Sequence, residues 1–119
     1  MIVEPKVPLE VRTQVGFLTY RFLVDTGADV SVVPRYIARE VGLTYDRLPE
    51  LTATGIGPGS VSVKVGSLPI RLGAVELTIR CLFLDHQLAP FILGCADVLD
   101  RFALTIDADQ GKIIFNELP

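Results

Sequence analysis

The sequence predicts an all-β chain, a small sandwich or barrel, and three observations predict it. Apolar and polar residues alternate with a period of two over several short stretches. Glycine-containing turns separate those stretches at close intervals. Helical spacing is confined to two short segments, residues 34–41 and 95–101.

Taken in order, Val7, Leu9, Val11 and Val15 alternate with Pro8, Glu10, Arg12 and Gln14, a half-buried strand that Gly16 breaks. Residues 17–24 form a second, apolar and aromatic strand, interrupted by Tyr20 and Arg21, and the tight connection makes the two a hairpin. Residues 30–33 are a short β-branched run. Pro34 suits the first turn of a helix, Ile37 and Val41 are an i, i+4 pair and Gly42 is placed to stop it, so a helix is expected over 34–41. A loop follows to Pro49 and Glu50. Residues 51–65 read as two strands around Gly55-Ile56-Gly57-Pro58-Gly59, a tip free to take positive φ.

Leu68, Ile70 and Leu72 alternate, as do Val75, Leu77, Ile79 and Cys81 before the continuous run Leu82-Phe83-Leu84. Residues 85–90 are a loop and Phe91-Ile92-Leu93-Gly94 a buried strand. Val98, Leu99 and Phe102 have helical spacing, which predicts a helix over 95–101. Residues 104–106 and 113–115 flank Ala108-Asp109-Gln110-Gly111 as a closing hairpin, with a frayed end at 116–119.

The chain has 119 residues, half of them hydrophobic and 21% charged, which bounds it to one domain over 1–119 with a real core. The net charge of -3 comes without a basic block, which argues against a nucleic-acid partner. No apolar run is long enough to span a bilayer, and residues 1–6 lack a signal-peptide layout, so the expected location is cytoplasmic with no membrane partner. Cys81 and Cys95 sit among apolar residues outside any C-x-x-C spacing and read as two reduced core thiols. His86, the one histidine, reads as a loop residue, and no metal site is expected.

One stretch does not fit a purely structural account. Phe22-Leu23-Val24 feeds Asp25-Thr26-Gly27, and the chain re-enters an apolar run at Val30. A carboxylate between two segments that favour burial is costly unless it is hydrogen-bonded, paired or used.

Leu23-Val24-Asp25-Thr26-Gly27-Ala28-Asp29 closely resembles the active-site motif of retropepsin-like aspartic proteases. Two further landmarks follow in the family's order. The glycine-rich tip at 55–59 falls where the family carries its flap, and Phe91-Ile92-Leu93-Gly94 resembles its second signature, apolar residues and a Gly before a short helix. The resemblance implies a small closed β-barrel-like acid-protease domain with one or two short helices. It also implies peptide hydrolysis by two carboxylates that share a proton, with no cofactor and no metal. With a single Asp-Thr-Gly in the chain, it implies a homodimer in which Asp25 from each copy forms the dyad.

Carried over residue by residue, Asp25, Thr26 and Gly27 are the catalytic set. Thr26 resembles the residue whose hydroxyl bonds across the two copies, and Gly27 leaves room for substrate backbone. Ala28, Asp29, Gly55, Ile56 and Gly57 are the substrate-binding candidates, with Ile56 covering the bound polypeptide. Asp29 has two readings, a contact to substrate or a locally bonded turn acid. Retroviral members pair this acid with an Arg after the second-signature Gly, and here Cys95 occupies that place. Leu23, Val30, Val32 and Ile92 either line pockets or, as ordinary apolar residues do, pack the core. Two other functions stay open at this point: a silent dimerisation or peptide-binding module on the same fold, and an unrelated small barrel whose Asp25 merely sits in a turn.

Overall fold

Val7, Leu9, Val11 and Thr13 are buried while Lys6, Pro8 and Arg12 are exposed, so the period-two pattern at the start of the chain is a strand with one face on the core. The structure, a computed structural model, describes residues 6–54, 60–86, 88–107 and 112–119. Strand β1 (Lys6–Thr13) pairs antiparallel with β2 (Gly16–Val24) from Lys6 opposite Leu23 to Thr13 opposite Gly16. Thr13, not Val15, carries the buried phase. Its hydroxyl donates to Gly16 O at 2.6 Å and accepts from Val15 N–H at 3.2 Å, which turns the chain and leaves Val15 81% exposed. Gly16 takes φ +109°, a conformation other residues rarely adopt.

Strand β3 (Ser31–Pro34) leads into a short helix α1 (Tyr36–Glu40). Pro34 closes the strand, opposite Leu84, instead of opening the helix as the sequence suggested. At a strand end its missing N–H costs as little as it would at a helix start. Ile37 and Ala38 are buried, and Gly42 at φ +88° ends the helix. Beyond a turn at Tyr45–Arg47 come β4 (Glu50–Thr54) and β5 (Ser60–Leu72), paired with Glu50 opposite Lys64 and Thr54 opposite Ser60. The tip expected at 55–59 lies outside the described residues.

The two alternating runs at 61–65 and 68–72 belong to one 13-residue strand. Buried positions change from odd (Val63) to even (Leu68, Ile70) across Gly66. A Cβ on Gly66 would lie 2.8 Å from the ring of the buried Phe83, so the strand lies against that ring where its phase shifts. β6 (Val75–Leu84) pairs with β5 from Val63 opposite Leu84 to Leu72 opposite Val75, and β7 (Ile92–Leu93) is only two residues long.

The sheet order is β1-β2-β7-β3-β6-β5-β4, and a further β1–β5 pairing closes the first six into a barrel with β4 attached to β5. The core inside includes Leu9, Phe22, Ile37, Ile70, Phe83 and Leu93, each at most 1% exposed. At the closure Arg71 of β5 ion-pairs with Glu10 of β1 and lies 3.8 Å from the ring centroid of Phe17. The all-β barrel expectation therefore holds.

The C-terminal segment differs from expectation in two respects. Residues 95–101 are not a helix, since Ala96 (φ -59°, ψ 125°) and Asp97 (φ 68°, ψ -8°) have the dihedral pair of a type II turn. Buried Val98 and Phe102 produce the apparent helical period from a turn and a strand start respectively. The end is also not frayed, because β8 (Phe102–Asp107) and β9 (Lys112–Glu117) pair with Ala103 opposite Asn116, and Leu118 N–H donates to Arg101 O at 2.9 Å. Residues 108–111 lie outside the described residues.

Phe22 is fully buried with an edge-on contact to Phe91 at 5.3 Å between centroids. Phe22→Ala is expected to destabilise the fold by about 3–5 kcal/mol, read as a lower urea midpoint at unchanged slope.

Candidate functional site

The site follows from how three strands meet. β7 lies between β2 and β3, parallel to the first (Val24 opposite Leu93) and antiparallel to the second (Val32 opposite Ile92). The chain from β2 to β3 must therefore cross over the end of β7, and residues 25–30 make that crossing. Leu93 O accepts Asp25 N–H at 3.0 Å, and Phe91 O accepts Leu23 N–H at 2.8 Å.

Gly94 sits under the crossing. A Cβ there would lie 2.5 Å from both C and O of Val30 and 2.9 Å from Ser31 N, inside any tolerable contact with backbone. The Gly94 N–H donates to the Ser31 hydroxyl at 3.0 Å, and Ser31 is fully buried. Sequence reasoning missed Ser31. Its only signal is a small hydroxyl residue at the head of a β-branched run, where an apolar residue would otherwise be expected.

The crossing itself is a tight turn. Ala28 N–H donates to Asp25 O at 3.2 Å, and Gly27 N–H donates to Asp25 Oδ1 at 2.9 Å. The half-buried Asp25 carboxylate is thus oriented by its own turn, with Oδ2 left for other partners. Thr26 and Gly27 are exposed, and the Thr26 hydroxyl has no hydrogen-bond partner among the described residues.

The far side of the turn is braced by main chain. Cys95 N–H donates to Ala28 O and Ala96 N–H to Asp29 O, both at 2.9 Å. Asp29 is exposed, and its carboxylate has no partner among the described residues, so the local bond at this position is made by its carbonyl. Cys95 is not the core thiol the sequence suggested. It is half-buried, and its S–H donates to Thr26 O at 3.3 Å. Cys81 is in the core, and burial pushes its thiol up to about 12. His86 is exposed in its loop, where Nδ1 accepts Leu88 N–H at 3.0 Å.

Four residues with two sequence readings sort themselves by face. Leu23 is opposite Ile92, Ile92 opposite Val32 and Val32 opposite Leu82, so these side chains form one row on the face away from the core. Each is half-buried, as is Val30, while Val24, Val33 and Leu93 fill the core. Beside the row, Phe91 stacks on Tyr20 at 5.2 Å and meets Tyr36 edge-on at 6.3 Å. Desolvation, then the nearby Glu40 charge, raises the hydroxyl pKa of both tyrosines. Gly55, Ile56 and Gly57 lie outside the described residues. Two clefts of about 630 and 620 Å³ lie elsewhere, against Phe102 and Phe115 and against Tyr36 and Tyr45. Neither is lined by Asp25 or by any other residue of the 25–29 turn.

The turn's hydrogen bonds are testable. Ser31→Ala leaves the Gly94 N–H buried without an acceptor and is expected to cost about 1–3 kcal/mol in chemical denaturation. Gly94→Ala is expected to cost more, because backbone must move to admit the methyl group.

A model of the family described as "gag-polyprotein putative aspartyl protease" matches residues 11–101. The chain is 27% identical over 96 residues to DNA damage-inducible protein 1 of Yarrowia lipolytica, a match covering 79% of this chain and 24% of that protein. It therefore spans about a quarter of the length of this relative. Among solved structures it is similar to the retroviral protease-like domain of Ddi1 from Leishmania major, with a TM-score of 0.68, 19% identity and coverage of 100% of this chain and 97% of that one. It is also similar to a retropepsin-like aspartic protease from Rickettsia conorii (TM-score 0.64, 21% identity, coverage 92% and 88%). A third likeness is to EIAV protease complexed with the inhibitor HBY-793 (TM-score 0.55, 24% identity, coverage 79% and 84%). At these identities the structural likenesses show the fold.

Proposed function

The chain belongs to the gag-polyprotein aspartyl protease family and has a retropepsin-like aspartic protease fold; from that premise we propose that it is an aspartic endopeptidase, active as a homodimer on extended polypeptide. The observation that carries this reading is the Asp25 carboxylate, half-buried on a turn whose neighbours Thr26 and Gly27 are exposed. An acid needed only for structure would be spent on local bonds, yet only Oδ1 is bonded within the turn.

The chemistry needs a second carboxylate within a few ångströms. Two such groups cannot both ionise easily, so the pair holds one proton and titrates as a unit. The ionised member takes a proton from water as that water attacks the peptide carbonyl. The protonated member hydrogen-bonds the carbonyl oxygen, and the proton gained from water is delivered to the leaving amine. With one Asp-Thr-Gly per chain, the partner is Asp25 of a second copy about a twofold axis. The exposed Thr26 hydroxyl is suited to bond across that axis, and Gly27 leaves space for substrate backbone. Ala28 and Asp29 border the same turn, and the row Leu23–Ile92–Val32 offers an apolar floor for side chains of a strand-like substrate. By the family resemblance alone, Gly55, Ile56 and Gly57 are the remaining substrate-binding candidates, with Ile56 as the covering residue.

Asp25→Asn is expected to keep the fold and the dimer while lowering cleavage of an unfolded substrate by about 10³-fold or more. Undiminished cleavage by this variant would refute the dyad. Specific activity is expected to fall on dilution in step with dimer dissociation measured by sedimentation. Thr26→Ala should shift that dissociation to higher concentration without lowering monomer stability. Full activity from a species that sediments only as monomer would rule out the shared site. Peptide binding without cleavage at any pH from acid to neutral would point instead to a silent binding module.

A further inference from the structure

The turn at Cys95–Leu99 opposes its own sequence. Val98, Leu99 and Phe102 carry a helical period, yet Ala96 and Asp97 take type II turn dihedrals, and Asp97 is the one non-glycine at positive φ among the described residues. Asp tolerates that region better than most residues, but Gly is the ordinary occupant. The carboxylate of Asp97 is fully engaged. Oδ2 accepts Arg80 N–H at 2.8 Å and Arg80 Nε–H at 3.0 Å, and Oδ1 accepts from the guanidinium at 3.1 Å. Arg80 lies on β6, opposite Ser67 in the long β5–β6 ladder, so the clamp is anchored to the barrel wall.

The held turn supplies the donors that brace the Asp25 turn. Cys95 N–H and Ala96 N–H reach Ala28 O and Asp29 O, and Cys95 S–H reaches Thr26 O. Val98, just downstream, is fully buried, so a change of ψ at Ala96 and φ at Asp97 toward helix would have to be taken up upstream, at the Cys95 and Ala96 donors. We propose that Asp97 is a positioning residue for the Asp25 turn: its clamp on Arg80 holds residues 95–97 out of helical geometry so that their donors fix residues 26–29. This inference rests on the proteolytic reading only for its kinetic consequence.

The charges facing Asp97 fix the sign of the pH dependence. Arg80 on β6 and Arg101 ahead of β8 are cationic, while Asp100 lies near Arg80. Hydrogen bonds from Arg80 hold the Asp97 carboxyl below the usual carboxylate range. Its folded value is thus depressed. The clamp's contribution is complete above the ordinary carboxylate range and is lost as pH falls through the depressed value.

The experiment compares Asp97→Ala, Asp97→Gly, Asp97→Asn and Arg80→Ala in the full chain, well below each variant's melting temperature. Amide hydrogen exchange of Cys95 and Ala96 and steady-state cleavage are both measured. Asp97→Gly removes the clamp while suiting the positive φ, so it separates the carboxylate's grip from backbone strain. Expected for Ala and Gly alike is a loss of Cys95 and Ala96 protection by about 10-fold or more and a fall in kcat of about 10- to 100-fold with little change in KM. Asn keeps an acceptor for Arg80 N–H and should restore most of the protection, and Arg80→Ala should fall between. Wild-type protection should decline in acid below the ordinary carboxylate range, and the Asn variant should lack that step. Wild-type protection and kcat in Asp97→Gly would overturn the proposal, as would a uniform loss of protection across the barrel. If the wild-type chain cleaves nothing, the proteolytic reading fails, and the exchange data still decide the clamp.

Discussion

The passage of residues 30 and 31 directly over Gly94 is the constraint on which the rest of the site depends. The two segments meet closer than any side chain would allow, with the position of a Cβ only 2.5 Å from Val30 C and O. That approach puts Ser31 in reach of the Gly94 N–H and lets β2 and β3 both pair with a strand two residues long. A crossing this close leaves the linking segment little slack. Asp25 is therefore presented at a turn whose position is set by strand pairing on both sides.

The barrel serves that crossing. Its closure through β1 and β5 removes an edge that would otherwise remain unpaired and ties the N-terminal hairpin to the long β5–β6 ladder. The same ladder presents Arg80 to Asp97, so the wall that holds the core also holds the second side of the Asp25 turn. Residues on the core face of β2, β3 and β7 stabilise the fold, and their neighbours on the opposite face form the apolar row beside Asp25. Alternation along a strand thus sends successive residues of one short stretch to the core and to the half-buried apolar row.

The family's retroviral arrangement, an ion pair between the second acid of the motif and an Arg, has a different counterpart here. Cys95 stands at the Arg position and bonds the turn through its N–H and S–H, with Ala96 N–H on Asp29 O. The acidic side chain of Asp29 is consequently left exposed. Arg80 and Asp97 supply a charged pair one step further along, where it grips the bracing segment instead of the Asp25 turn itself.

By itself, the sequence determined what depends on neighbours in the chain. The period-two strands, the glycine stop of α1 and the Asp-Thr-Gly turn were all legible, because pleat, φ range and turn chemistry are local properties. Tertiary structure alone decided the features that need a partner from far away. The buried role of Ser31 needs Gly94, 63 residues on. The phase shift in β5 falls where Gly66 lies against the ring of Phe83, a contact between residues far apart in the chain. The failed helix at 95–101 has a helical period, but Arg80 holds Asp97 outside helical geometry, so a contact between distant residues overrides a local preference. The placement of Cys95 against Thr26 is of the same kind, since an apolar neighbourhood in sequence does not reveal which strand end it will meet.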